Sequence, residues 1–279
     1  MSVTSNLSEE PVYDSAKRRH PFVDEFVALL KYRELLRQFV GRAITIRYKR
    51  SVLGVVWTLL NPLLTMIVLS VVFSTLFRFN IPHYPVYLLS SFMVWNFFAA
   101  STNQAMGEMA LNAGLMNRIY LPKGIIAVSS IGTAIVNMGF TFIPLVLIML
   151  ATGASFSPTI LILPVSLVFL AAFAMGMGLM LATAAVFFAD MIPVYEVLLS
   201  IWFYSTPIIY PIDIIPERWL WLFKLNPMYY LVDLFRQPIF AGKIPDLSTW
   251  LIAGGYALAV LCLGWYIFTS KANEYAYRV

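Results

Sequence analysis

Six apolar segments, each about twenty residues or longer, fill most of this 279-residue chain and constrain what it can fold into. A helix needs roughly 20 apolar residues to cross the hydrocarbon core of a bilayer. The segments are Val52–Phe77, Pro85–Met106, Gly124–Leu150, Thr159–Ala189, Met191–Tyr210 and Thr249–Ser270. The first is interrupted by Asn61-Pro62 and has the length to cross with tilt or a kink. Apolar and aromatic residues make up 60% of the chain and charged residues only 12%, which excludes a soluble enzyme. Cys262 is the only cysteine and sits in an apolar run, so a disulfide scaffold is excluded. With His20 and His83 as the only histidines, an ordinary zinc or iron–sulfur site has too few ligands. The expected fold class is an all-α integral membrane protein with six transmembrane helices.

The charge distribution sets the expected orientation. The net charge is +5, but ten of the 19 basic residues precede Ser51, ahead of the first apolar segment. That placement fits a collar on an anionic leaflet and not a nucleic-acid patch. Placing the N-terminus in the cytoplasm puts fourteen basic residues inside and five outside, so both termini are expected to be cytoplasmic. Residues 1–20 read as a polar tail without a cleavable signal peptide, and 21–50 as an amphipathic interface helix followed by the basic collar. Phe22, Phe26, Leu29, Leu36 and Val40 form the apolar stripe of that helix, with Gly41 as a possible hinge. Residues 51–279 form the six-span domain.

Two connections stand out. Residues 211–248, between the fifth and sixth spans, are rich in aromatics, and Pro216–Leu225 and Met228–Phe240 read as two short helices parted by Asn226-Pro227. Both are too short to span and suit re-entrant or interfacial segments. Trp219, Trp221, Tyr229 and Tyr230 would make either an interfacial cap or an outer gate. Between spans two and three, Gly107–Lys123 carries an apolar stripe of Leu111, Leu115, Met116 and Ile119 flanked by Asn112, Asn117 and Arg118. It reads as a short amphipathic loop helix suited to a partner's groove.

Chemistry is sparse. The spans as drawn hold almost no ionisable residues, the usual mark of proton relays and ion coupling; Glu108, Asp190 and Glu196 lie where they reach an interface. Gly242-Lys243 is followed by Ile244, so no phosphate-binding loop is present, and uphill transport would draw its energy from another chain. Ala174, Gly178, Ala182, Ala185 and Ala189 share one face of the fourth span, a pattern for close packing within one bundle.

Arg47-Tyr48-Lys49-Arg50-Ser51-Val52-Leu53-Gly54, with Trp57 and Asn61-Pro62-Leu63, resembles the entry to span one of bacterial polysaccharide-export permeases, the membrane subunits of ABC exporters for O-antigen, capsule or teichoic acid. Asn112–Pro122, Thr206–Pro211 and Leu225–Tyr229 match the same family in order and spacing. The resemblance implies a homodimer of this chain working with two copies of an ATP-binding cassette subunit in the bacterial cytoplasmic (inner) membrane. ATP and magnesium would sit on that partner, with no cofactor and no enzyme activity on this chain. The substrate implied is a glycan or polyol phosphate on a lipid diphosphate. Leu111, Asn112, Leu115, Met116, Arg118 and Ile119 would then couple to the ATPase. Arg47, Lys49 and Arg50 stand where a lipid-diphosphate headgroup would arrive. Sugar faces pass over aromatic platforms, and Trp57, Tyr204 and Tyr210 are candidates for that path. A permease of the same fold exporting drugs or small lipids, and a membrane-embedded enzyme acting on lipid-linked sugars, are the competing readings.

Overall fold

In hydrocarbon a chain must satisfy its backbone hydrogen bonds within each segment, and the helix does this locally. The computed structural model describes residues 31–49, 56–73, 81–116, 124–188, 190–271 and 274–275, and among these it is helical with no strand. In chain order the helices are α1 (Arg33–Tyr48), α2 (Val56–Val71), α3 (Tyr84–Met116), α4 (Ile125–Thr152) and α5 (Leu163–Phe187, entered through a 3-10 turn at Pro158–Ile162). They continue with α6 (Met191–Tyr204), α7 (Glu217–Lys224), α8 (Pro227–Arg236, extended by a π turn at Gln237–Ala241) and α9 (Leu247–Lys271). Among the described residues, three stretches are long and apolar enough to cross a membrane: Ile125–Thr152, Pro158–Phe187 and Leu247–Lys271.

α5 lies at the centre, between α3 and α9, with α4 on the other side of α3. The α5–α9 crossing is the closest: a Cβ on Gly176 would overlap the backbone at Val260, and one on Gly264 would overlap the backbone of Gly176. Only glycine lets the two backbones meet there. The small-residue face read from the sequence packs elsewhere within the same bundle. Ala174, Gly178, Ala182 and Ala185 are buried, and Gly178 sits opposite Ala105 of α3.

Four sequence expectations change. The fifth span was expected to run to Tyr210, but α6 stops at Tyr204 after 14 residues, about 21 Å of helix. Pro207 offers no N–H and disfavours a helical residue before it, so the helix ends in the preceding turn. The second span was expected to end at Met106 before a separate loop helix. Instead α3 continues through Gly107 to Met116 as one 33-residue helix, because Ala, Leu and Met favour helix and no proline intervenes before Pro122. Its buried Ser90, Ser91, Ser101 and Thr102 donate to carbonyls three or four residues back, which lets polar side chains sit inside. The interruption at Asn61-Pro62 does not form, and α2 is continuous from Val56 to Val71. Nor does a hinge form at Gly41: α1 runs through it, with the Thr45 hydroxyl donating to the Gly41 carbonyl at 2.7 Å.

The amphipathic character of α1 holds where it is described. Leu35, Leu36, Phe39 and Val40 are half-buried while Glu34, Gln38 and Arg42 are exposed, and the helix packs against α4. Residues 1–30 lie outside the described residues.

Candidate functional site

Helix α8 is ten residues long, too short to cross, yet it packs among α3, α5 and α9. Met228, Leu231, Val232, Leu234 and Phe235 are each at most 1% exposed. Asn226 starts it: the side-chain oxygen accepts from the Met228 N–H at 3.0 Å, and Pro227 takes the first helical position, where its missing N–H costs nothing. The same amide ties α8 to the end of α6. Its oxygen accepts from Trp202 Nε1 at 2.8 Å, and its Nδ2 donates to Thr206 Oγ1 at 2.8 Å and to the Ser205 carbonyl at 3.2 Å. The other end of α8 is held to α5 by Ser166 donating to the Leu234 carbonyl and Thr159 to the Pro238 carbonyl, both at 3.0 Å.

Between α6 and α7 the backbone from Ser205 to Pro211 has no regular structure, but Thr206 and Ile208 are buried. Its carbonyls are satisfied by side chains. Tyr84 Oη donates to Ile209 at 2.8 Å, Tyr87 Oη to Tyr210 at 3.0 Å, and Arg236 Nη1 to Pro207 at 2.9 Å. Arg236 also donates to Tyr87 Oη at 2.9 Å and lies 5.0 Å over the Tyr87 ring. Asp233 neutralises it from 3.4 Å, and both side chains are nearly buried (14% and 11% exposed). The Asp233 carboxylate accepts a further bond from Gln237. A buried guanidinium is tolerable when paired and hydrogen-bonded in this way.

Two cavities flank α6. One, of about 560 Å³, opens between α5, α6 and α7 and is almost wholly apolar, with Met177, Leu181, Leu198 and Leu222 on its walls and Asn226 at its polar edge. The other, of about 290 Å³, lies between α3 and α6, where Phe92, Trp95, Phe203 and Tyr204 surround the polar Asn96 and Ser200. Aromatic faces beside an amide and a hydroxyl suit a molecule with weakly apolar faces and many hydroxyl groups.

Of the path candidates, Tyr204 rims the smaller cavity and is joined by Tyr210, whose hydroxyl donates to the Tyr204 carbonyl at 2.6 Å. Trp57 stands apart, 53% exposed on the first turn of α2, which packs chiefly on α4 and α3. Of the gate candidates, Trp219 and Trp221 project from α7, where no residue is buried, at 48% and 59% exposure. Tyr229 and Tyr230 pack edge to face at 5.0 Å on α8, and Tyr230 stacks near Tyr256 of α9.

Leu111 is 86% exposed on α3, and Asn112, Leu115 and Met116 lie on the last turns of that helix, their side chains outside the described residues, as are Arg118 and Ile119 entirely. Lys49 is exposed and caps the carboxyl end of α1 through its N–H to Thr45, a place where helix polarity favours cations. Arg47 is on the last turn of α1 with its side chain outside the described residues, and Arg50 lies outside them.

Sequence reasoning missed Tyr84, Tyr87, Asp233 and Arg236. A signal was available for two of them: an Asp-x-x-Arg pair in an otherwise apolar short helix demands a buried partner. Nothing in the sequence marked the tyrosines, because a tyrosine at the start of an apolar segment reads equally well as an interfacial anchor.

The chain is 29% identical over 252 residues to the O-antigen export system permease protein RfbA of Myxococcus xanthus, covering 89% of this chain and 96% of that protein. It is 26% identical over 212 residues to RfbA of Klebsiella pneumoniae (76% and 82% covered). It is 25% identical over 235 residues to the polysialic acid transport protein KpsM of Escherichia coli (82% and 90%). The model of the family described as ABC-2 type transporter matches residues 34–240, from α1 to the π turn after α8, and the chain belongs to that family.

Proposed function

We propose that this chain is the transmembrane subunit of an ATP-driven exporter that carries a lipid-linked polysaccharide across the bacterial cytoplasmic membrane. The observation that carries this reading is the nearly end-to-end match to an O-antigen export permease, 89% of this chain and 96% of that protein. The chain acts as a homodimer with two copies of a separate ATP-binding subunit, which binds ATP and magnesium and hydrolyses the nucleotide. It crosses six times with both termini in the cytoplasm, α7 and α8 dipping back from the outer side. The fourteen-to-five basic asymmetry supports this orientation.

The residue roles follow from position. Arg47, Lys49 and Arg50 receive the diphosphate headgroup at the carboxyl end of α1, where arginine can grip phosphate oxygens bidentately. The glycan stacks on aromatics that include Trp57, Tyr204 and Tyr210, and the cleft between α3 and α6 supports such a platform. Trp219, Trp221, Tyr229 and Tyr230 belong to the outer gate. The end of α3 with its continuation, carrying Leu111, Asn112, Leu115, Met116, Arg118 and Ile119, docks on the ATPase. Because α3 is one rigid helix to Met116, a push there reaches Tyr84 without an intervening hinge.

Deleting the gene tests the reading. A lipid-linked glycan is expected to accumulate on the cytoplasmic side while surface polysaccharide is lost, both restored by the wild-type gene. Leu115→Asp is expected to reach the membrane but fail to restore export, with less ATPase co-purifying. Unchanged surface polysaccharide in the deletion strain, with a drug or small lipid retained instead, would replace polysaccharide as the cargo.

A further inference from the structure

Helix α8 has two kinds of attachment. Its bonds to α5 and α6 run through Ser166, Thr159 and Asn226, all neutral groups. Arg236 is different: one guanidinium on α8 reaches both the Pro207 carbonyl of the unwound segment and the hydroxyl of Tyr87 on α3, each at 2.9 Å. Tyr87 in turn donates to the Tyr210 carbonyl, so three elements meet at one charged group. An apolar residue could fill the same space, and replacing a buried ion pair with apolar side chains is often neutral or stabilising. A charge kept there serves a bond that is strong when made and geometrically all-or-none when broken.

We infer that Arg236 is a positioning residue of the exporter: it clamps the unwound segment Ser205–Pro211 onto α3, and α7 and α8 can leave their closed arrangement only when both guanidinium bonds release. The inference rests on the reading of α7 and α8 as a gate. Opening then requires α3 to shift relative to α8, and α3 is the helix whose far end carries the docking stripe.

The test uses the purified complex with its ATPase in lipid nanodiscs, on a Cys262→Ala background. A reporter is placed by Ile208→Cys, a position that is fully buried beside the clamp, and a control by Ala127→Cys, buried at the opposite end of the bundle. Maleimide labelling of the reporter is expected to rise about tenfold or more with Arg236→Gln, because a charge-assisted bond and its neighbour are lost. Arg236→Lys should fall between: one nitrogen, Nη1, makes both clamp bonds, so an ammonium could keep the charge and a bond, but it loses the second nitrogen that meets Asp233 and the planar contact with the Tyr87 ring. Tyr87→Phe keeps the ring and removes only the hydroxyl, and a rise of about threefold is expected. The control site should stay unlabelled throughout. Equal rises at both sites would reduce Arg236 to a general stabiliser, and unchanged reporter labelling in Arg236→Lys and Tyr87→Phe would remove the clamp, even if Arg236→Gln fails to accumulate. Raised reporter labelling with export and ATPase coupling at wild-type rates would keep the clamp and refute the gate.

Discussion

The two ends of the helix bundle are held together by opposite means. At the end where α3 begins, Tyr84, Tyr87, Asn226 and Arg236 cross-link three helices and an unwound strand of backbone through directional hydrogen bonds. At the end where α3 leaves the bundle, Ala105, Met109, Ile125, Leu179, Ala182, Trp265 and Phe268 form an apolar cluster covered by Tyr32, Leu35, Leu36 and Phe39 at the start of α1. Tyr275 folds back into that cluster, 2% exposed, and its hydroxyl meets Thr183 Oγ1 at 2.8 Å. Apolar contact is nondirectional, so helices can slide by small amounts without losing much. Hydrogen bonds to a buried backbone are made or lost as units. One end is therefore held by bonds that are lost one unit at a time, and the other by contacts spread over many side chains.

The glycine crossing joins the two ends, and breaking it should abolish the distinction between them. Gly264→Ala puts a methyl group into the backbone of Gly176, with no flexible side chain able to yield. Overpacking of this kind costs about 3 kcal/mol or more, so loss of monodisperse protein by size-exclusion chromatography is expected for the largest effect of the set. A Gly264→Ala protein with wild-type melting temperature would mean that α5 and α9 are free to separate.

Asn226→Ala removes a helix cap and leaves the indole N–H of Trp202 without its acceptor. A cap is worth about 1 kcal/mol and an orphaned donor on the half-buried Trp202 about 1 more, so a loss of about 2 kcal/mol is expected in thermal unfolding. Asn226→Asp keeps the acceptor for Trp202 and Met228 but loses the donor to Ser205 and Thr206, and it should recover roughly half. Equal losses in both variants would show that the oxygen contributes nothing.

At the apolar end the corresponding polar deletion should hardly matter. Tyr275→Phe keeps the ring against Phe268 and Phe187, and Thr183 retains its bond to the Leu179 carbonyl at 2.8 Å. A loss of about 0.5–1 kcal/mol is expected. A loss as large as that of Asn226→Ala would mean that this end is also held by directional bonds, and the contrast would fail.

How far each end could be read from the sequence follows the same physics. Apolar length announces helices, so α4, α5 and α9 were legible, as was the amphipathic face of α1. The two short helices around Asn226-Pro227 were legible because Asn-Pro between two apolar stretches is a local turn signal, although the cap that Asn226 makes was not. The polar cross-links were not, because they join residues far apart in the chain, such as Tyr87 and Arg236, through geometry that no periodicity encodes. The Gly176–Gly264 contact was hidden for the same reason. The small-residue face around Gly178 is periodic and was visible, whereas the closest crossing depends on one glycine in each of two distant helices. The length of α6 was misread because apolarity continues past Tyr204 although the helix does not, and Pro207 was the overlooked stop.

The smallest expected effect, that of His83→Asn, lies at the first residue of the cross-linked end. His83 holds φ +50°, in the left-handed region that costs an ordinary side chain about 1–2 kcal/mol. Its carbonyl accepts from Val86 at 2.8 Å and Tyr87 at 3.3 Å, so this backbone geometry starts α3 and sets where Tyr84 and Tyr87 point. The strain is then offset by the bonds those tyrosines make to Ile209 and Tyr210. Asparagine tolerates the left-handed region better than histidine or any β-branched residue. His83→Asn should raise stability by about 0.5 kcal/mol, and His83→Val should lower it by about 1 kcal/mol or more, with export unchanged in the first. The difference between the two variants, read as melting temperature on the same purified complex, isolates backbone conformation from the imidazole. If both shift the melting temperature equally, the side chain matters and the turn does not, and the start of α3 is set by some other contact.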